Sequence, residues 1–233
     1  MREAVSLVGG YGITEDCPGF LGHKWMDAQL EATYEGPEAV QRRQLSVTMT
    51  SEVFLAVFRT WAKQLREIDL SHPAIGAATL ANAIDLWLWT LDHLQRTTDA
   101  NGARLYSGNR QGVTFPMADA LCWLLAVRFQ ILDTLRLASK GPEVPTLAEG
   151  IAGFVNVFTD LCSVQAASAA GEAARICAEL VHGFAAPAAP VPEAFASLRA
   201  AADAGMAGSR LAKDRAAEAL AKVTIPEALD YPR

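Results

Sequence analysis

Hydrophobic positions recur with a helical period along most of the chain. Phe54, Val57, Phe58, Trp61, Leu65 and Ile68 follow the i, i+3, i+4, i+7 rule, and so do Leu80, Ile84, Trp87, Leu88, Leu91 and Leu94. Each run predicts one helix with an apolar stripe turned toward a core. Residues 117–137 are apolar over most of a helical circumference, which predicts a central buried helix. Residues 147–184 are rich in alanine and carry Ile151, Phe154, Val155, Phe158, Leu161 and Cys162 along one side. Shorter helices are predicted near 192–204 and 209–223. No segment alternates with period two in β-branched residues, so essentially no sheet is expected.

The breaks between these runs are sharp. Asp69-Leu70-Ser71-His72-Pro73 separates the first two long helices. A polar stretch over 97–112 contains Asn101-Gly102 and Ser107-Gly108-Asn109, and 139–145 contains Gly141-Pro142. Residues 185–192 read as an extended proline-rich linker. Long helices joined by short turns predict an all-α, up-and-down bundle. The bundle is expected over 38–146, with a helical extension over 147–233.

Composition narrows the function classes. The chain has 233 residues, of which 51% are hydrophobic, so it can bury a core and is not a disordered polymer. No uncharged apolar run reaches the ~20 residues of a membrane span, and the first residues carry no long apolar signal region. Net charge is −6, and Arg42-Arg43 is the only adjacent basic pair. Nucleic-acid binding needs a concentrated basic face and is not expected. Cys17, Cys122, Cys162 and Cys177 are far apart with no Cys-x-x-Cys pair. The last three lie in apolar helical contexts and read as reduced core thiols, which places the chain in the cytoplasm.

The first 45 residues are different, being rich in glycine and unable to form a core alone. Gly9-Gly10-Tyr11-Gly12 allows close backbone approach and can leave N–H groups for an anion, although it is not a Rossmann fingerprint. In Tyr34-Glu35-Gly36-Pro37-Glu38, Gly36 fits an N-cap and Pro37 the first helical position. Glu35 then lies just outside a helix N-terminus. Peptide dipoles there favour its charge, and apolar burial opposes it. A carboxylate so placed can act as a general base or can simply satisfy a local N–H.

Taken together these motifs resemble the C-terminal part of the acyl-CoA dehydrogenases. The carrying residues are Gly9-Gly10-Tyr11-Gly12-Ile13-Thr14, Met26-Asp27-Ala28, and Tyr34-Glu35-Gly36-Pro37-Glu38-Ala39-Val40-Gln41-Arg42. In that family a Gly-Gly-x-Gly-aromatic loop precedes Arg-Asp-Ala, then Ile-Tyr-Glu-Gly-Thr, then Ile-Gln-Arg. The strong resemblance covers about residues 3–45.

The resemblance implies a flavoenzyme that converts an acyl-CoA thioester to its 2,3-enoyl form. Glu35 would be the base for the α-proton, with hydride passing to FAD. Gly9, Gly10, Gly36, Pro37 and Glu38 would face FAD, and Tyr34 would lie by the acyl thioester. Residues 1–37 become a cofactor-facing and catalytic segment. The partners implied are an acyl-CoA substrate, an electron-transfer acceptor, and either further copies of the chain or a chain carrying the family's other domains. The family's N-terminal helical and middle β-domains have no counterpart in these residues. A fragment or split subunit is therefore expected, inactive in isolation and poor at retaining FAD.

Two departures stand out. Pro37 replaces a threonine and Met26 replaces the arginine before Asp-Ala. They motivate an alternative, a non-catalytic interaction module derived from the family.

Other chemistry is weaker. His23 and His72 read as surface residues, and His93 and His182 lack the neighbours a metal site needs, so no metal is expected. Asp85, Asp119 and Asp133 are expected to pair with arginines of the bundle, Arg128 for example. Trp87, Trp89 and Trp123 read as core or inter-helix anchors.

Overall fold

The computed structural model describes residues 2–8, 20–31, 33, 37–186 and 188–223. The chain divides into two compact units, Met1–Leu45 and Ser46–Arg233. Among the described residues the structure is helical, and the only strand-like feature is an isolated bridge between Thr98 and Arg104. The all-α expectation is met.

The first unit holds α1 (Arg2–Val8), α2 (Phe20–Glu31) and most of α3 (Glu38–Thr48). Helices α1 and α2 pack together, and Val5 is buried. The last residues of α3, from Ser46 onward, belong to the second unit.

The second unit contains α4 (Glu52–Ser71), α5 (Ala77–Arg96), α6 (Gln111–Lys140), α7 (Ile151–Gly183), α8 (Glu193–Ala204) and α9 (Ser209–Val223). Single 3-10 turns at Pro73–Ile75 and Gly141–Glu143 sit in two of the connections. Helix α4 starts where the Ser51 side chain accepts the Phe54 N–H at 3.2 Å, an N-cap that satisfies one orphan donor. Its buried seam is Leu55, Phe58, Ala62 and Leu65. The expected stripe is therefore rotated: Val57 stays exposed, and Ala62 takes a core position because α5 approaches closely there.

Helix α5 is the enclosed one. It packs against α4, α6, α7 and α8, and its buried positions run from Ala77 to Leu94. Trp87 is fully buried, with Phe58 edge-on to it at 5.2 Å between ring centroids and an interplanar angle of 81°. A buried indole N–H needs an acceptor, and Trp87 donates to the Met117 carbonyl of α6 at 3.0 Å.

The sequence placed the central helix at 117–137, but α6 buries only one face. By length and composition it could cross a membrane, yet that face packs on α5 and α7. Its remaining apolar side chains outnumber the neighbours available to cover them. Phe129 is exposed, and Trp123, expected as an anchor, is 40% exposed.

Helix α7 packs against α5, α6, α8 and α9, so residues on both sides of position 147 lie in one compact unit. Ala166, Ala169, Ala170, Ala173 and Ala174 are all buried. The large residues read as its core side, Phe154 and Phe158, stay substantially exposed. Small side chains do the packing here because they let helix backbones come close.

At the start of α5, Gly76 has φ of 81°, a left-handed conformation. A Cβ there would lie 2.8 Å from the Ala166 Cβ and 3.1 Å from the Ser163 Cα. No side chain of its own caps α5 at Gly76, but Asp69 of α4 accepts the Ala78 N–H at 3.3 Å. Farther along, Arg199 donates from Nη1 to the Ala174 carbonyl at 3.0 Å, fixing α8 to α7. Arg215 clasps Asp160 with Nε and Nη2, at 3.2 and 2.5 Å, fixing α9 to α7.

The 97–110 connection is held at several points. Asp99 accepts N–H bonds from Asn101 and Ala103 and pairs with Arg110. Leu105 is buried. The Tyr106 N–H reaches the Leu94 carbonyl at 3.0 Å, and the Tyr106 hydroxyl donates to the Ser46 carbonyl at 2.5 Å. The Ala103 N–H, then Arg110, hold the Asp99 carboxyl below its ordinary value of 3.8.

Two outcomes follow from this packing. Gly76→Ala is expected to destabilise the chain by about 2–4 kcal/mol, the sum of left-handed strain and overpacking, measured by urea unfolding. A loss under about 1 kcal/mol would show that α5 and α7 can separate without cost. Asp99 is expected to titrate below 3.8 in a carbon-detected NMR titration. Because its folded pKa is depressed, its contribution to stability is complete above the unfolded value and is lost as pH falls through the folded one. An ordinary midpoint for Asp99 would remove its role as the pin of this connection.

Candidate functional site

Of the residues assigned from the sequence, Gly9, Gly10, Tyr34, Glu35 and Gly36 lie outside the described residues, as does Cys17. Pro37 and Glu38 are described, and both are exposed. The Pro37 carbonyl accepts from the Val40 N–H at 2.7 Å and the Gln41 N–H at 3.2 Å. Pro37 therefore stands at the N-cap of α3, where the sequence reading had Gly36, so the helix starts one residue later than expected. The shift leaves Glu38 in the first turn, where a carboxylate meets the positive end of the helix dipole. Glu38 also accepts from Arg42 at 2.8 Å, one turn along the helix.

These two residues bear on the flavin that the resemblance implies. Pro37 has no N–H to donate, and the Glu38 carboxylate is an acceptor already engaged by Arg42. Neither side chain offers a hydrogen-bond donor to a flavin.

In α2, His23 is exposed, in line with its reading as a surface residue. Met26 is 66% exposed. Asp27, which follows it in the motif, lies 3.7 Å from Lys24.

In the second unit several of the other singled-out residues have structural partners. Asp85 pairs with Arg66 of α4, not with Arg128. Arg128 instead lies over the Trp61 ring, 3.7 Å from its centroid, where burial lowers its pKa. Asp119 has an interaction of its own. His93 stacks on Trp89 at 5.0 Å, and burial lowers its pKa. His182 sits edge-on to Phe195 at 5.6 Å. Among the described residues no group of histidine, cysteine and carboxylate side chains could hold a metal ion. Cys162 and Cys177 are buried, and burial pushes the Cys177 thiol up to about 12. Cys122 is exposed, against the expectation of a core thiol, because it lies on the uncovered side of α6.

The second unit also carries concave surface. A depression of about 670 Å³ lies where the end of α5, the start of α6, the 97–110 connection and the residues after Leu45 converge. Arg96, Arg104, Tyr106, Ser107, Thr50 and Thr114 contribute to its walls. Arg96 pairs with Asp92 at 2.6 Å. Sequence reading did not single out these residues. The polar, glycine-containing stretch over 97–112 was the available signal, but it marks a turn and says nothing of what converges on it. A shallower region of about 470 Å³ is lined by Trp123, Gly171, Met206, Arg210 and Lys213, among others.

Residues 1–49 match the family model described as acyl-CoA dehydrogenase, C-terminal domain. The match ends before α4, so the helices that follow are outside it. No curated protein and no solved structure matches the chain. The helical architecture is consistent with an all-α C-terminal domain of that kind. Over those 49 residues the chain is similar to the C-terminal domain of the acyl-CoA dehydrogenases.

Proposed function

We propose that the chain supplies the C-terminal part of a flavin-dependent acyl-CoA dehydrogenase, with Glu35 as the base for the α-proton of an acyl-CoA thioester. The reading is carried by one observation. The glycine turn, Met26-Asp27-Ala28 and Tyr34-Glu35-Gly36 occur in that order inside the segment that matches the family.

The start of α3 supports it. Because Pro37 is the N-cap, Glu35 lies two residues ahead of it in the chain. A helix dipole favours the carboxylate there, and a dry thioester pocket raises its proton affinity. That balance suits a base working near neutral pH. In the step assigned to Glu35, the Cα–H bond breaks and the proton passes to the carboxylate. The bonding electron pair delocalises onto the thioester carbonyl, whose oxygen needs donors to carry the charge. When bound, FAD supplies an acceptor for the β-hydrogen as hydride. Gly9, Gly10, Gly36, Pro37 and Glu38 are assigned to the flavin surface and Tyr34 to the acyl-thioester wall.

The remaining walls of the flavin and CoA sites are assigned to companion domains, and an electron-transfer acceptor completes the cycle. The family's glycine loop works across a subunit boundary, so further copies or a partner chain are part of the proposal. A second reading, an interaction module without chemistry, is favoured by exposed Met26 and by Pro37, which lacks an N–H.

The test is an assembly purified with the polypeptide that supplies the companion domains. It is expected to carry flavin and to reduce a dye with acyl-CoA. Glu35→Gln is expected to lower turnover by about 10²–10⁴-fold, the usual weight of a positioned base, while flavin content holds. Wild-type turnover in that variant would remove Glu35 as the base. An assembly that is intact and free of flavin would instead establish the interaction module.

A further inference from the structure

The depression at the α5–α6 end of the second unit has features that the dehydrogenase reading does not use. We propose that it binds the oxyanion of a small molecule, a carboxylate or a phosphate ester, with Arg104 as the principal cation and Thr114 at its floor.

Charge gives the first argument. The chain is acidic, at −6, yet this surface carries Arg96 and Arg104 against Asp92 alone. Arg96 is paired with Asp92 at 2.6 Å. The Arg104 guanidinium has no hydrogen-bond or ion-pair partner among the described residues, so one positive charge is left uncompensated. A guanidinium presents parallel donors that match the two oxygens of a carboxylate or phosphate.

The floor gives the second and independent argument. Thr114 is 1% exposed, and its hydroxyl has no hydrogen-bond partner. A buried threonine on a helix commonly back-bonds to the carbonyl four residues earlier, as Thr90 does to Leu86 at 2.8 Å and Thr134 to Gln130 at 2.9 Å. Thr114 does not, although its own N–H reaches the Arg110 carbonyl at 3.0 Å. An unbonded buried hydroxyl is costly. An oxyanion seated against this wall would accept its hydrogen.

The third argument is rigidity. Arg104 and Ser107 ride on a connection fixed by the Asp99–Arg110 pair, by buried Leu105 and by both ends of Tyr106. Little backbone has to be ordered when a ligand arrives, and that lowers the cost of binding. The size, about 670 Å³, suits a small polar molecule whose anionic end is anchored and whose remainder faces the open side. The inference rests on different residues from the flavin reading, in the other compact unit.

The test uses the full chain, labelled with nitrogen-15. It is titrated with inorganic phosphate and separately with acetate, each compared with sodium chloride at equal ionic strength. Saturable shifts are expected for the Arg104 Nε–H and for the amides of Ser107 and Thr114. A response to phosphate alone identifies a phosphorylated ligand, and a response to acetate alone identifies a carboxylate. Arg104→Gln is expected to weaken binding about tenfold, with no change in the urea midpoint because the side chain is exposed. Thr114→Val is expected to weaken it about threefold or more while folding no less stably, since the hydroxyl has no protein partner to lose. Shifts that chloride reproduces, or an affinity unchanged in either variant, would overturn the proposal.

Discussion

The second unit depends on how closely α5 and α7 approach. Gly76 enters α5 with no side chain against Ala166, and the alanines of α7 continue that approach along its length. Once the two backbones are close, Trp87 on α5 can reach the Met117 carbonyl on α6 while Phe58 of α4 packs against its face. Arg199 then reaches a backbone carbonyl of α7, which is possible only because the small residues leave that helix surface open. The hydrophobic effect drives the assembly, but steric permission at a few positions decides its arrangement.

Much of this architecture is legible in the sequence. The α5 stripe was readable because Leu80, Ile84, Trp87, Leu91 and Leu94 are large, apolar and regularly spaced, and all of them are buried. The last described helix, Ser209–Val223, has the bounds that the periodicity predicts. What misled was size. Phe154 and Phe158 look like core residues, and Ala166 through Ala174 look like filler, yet the packing reverses their importance. Periodicity reports which positions share a face. It does not report which neighbour will cover that face, and α6 and the first half of α7 have more apolar surface than neighbours.

The segment that matches the family model is legible for a different reason. Glycines, a proline and a glutamate in a fixed order are enough to signal that likeness. The N-cap of α3 fell one residue away from its expected place because helix-start preferences for glycine and proline do not fix the first hydrogen bond. The depression near Arg104 could not be read at all. Its walls run from Ser46 to Thr114 along the chain, and the Tyr106–Ser46 bond and the turn around Asp99 help to bring them together.

The alanine face of α7 makes the protein's tolerance to substitution lopsided. Its buried positions already carry nearly the smallest side chain there is, so almost every mutation adds volume where none is available. The outer faces of α4 and α9 border solvent and can accept bulk or charge. Random change should therefore accumulate around the rim of the bundle, while the helix that looks plainest in the primary structure has the least freedom to vary.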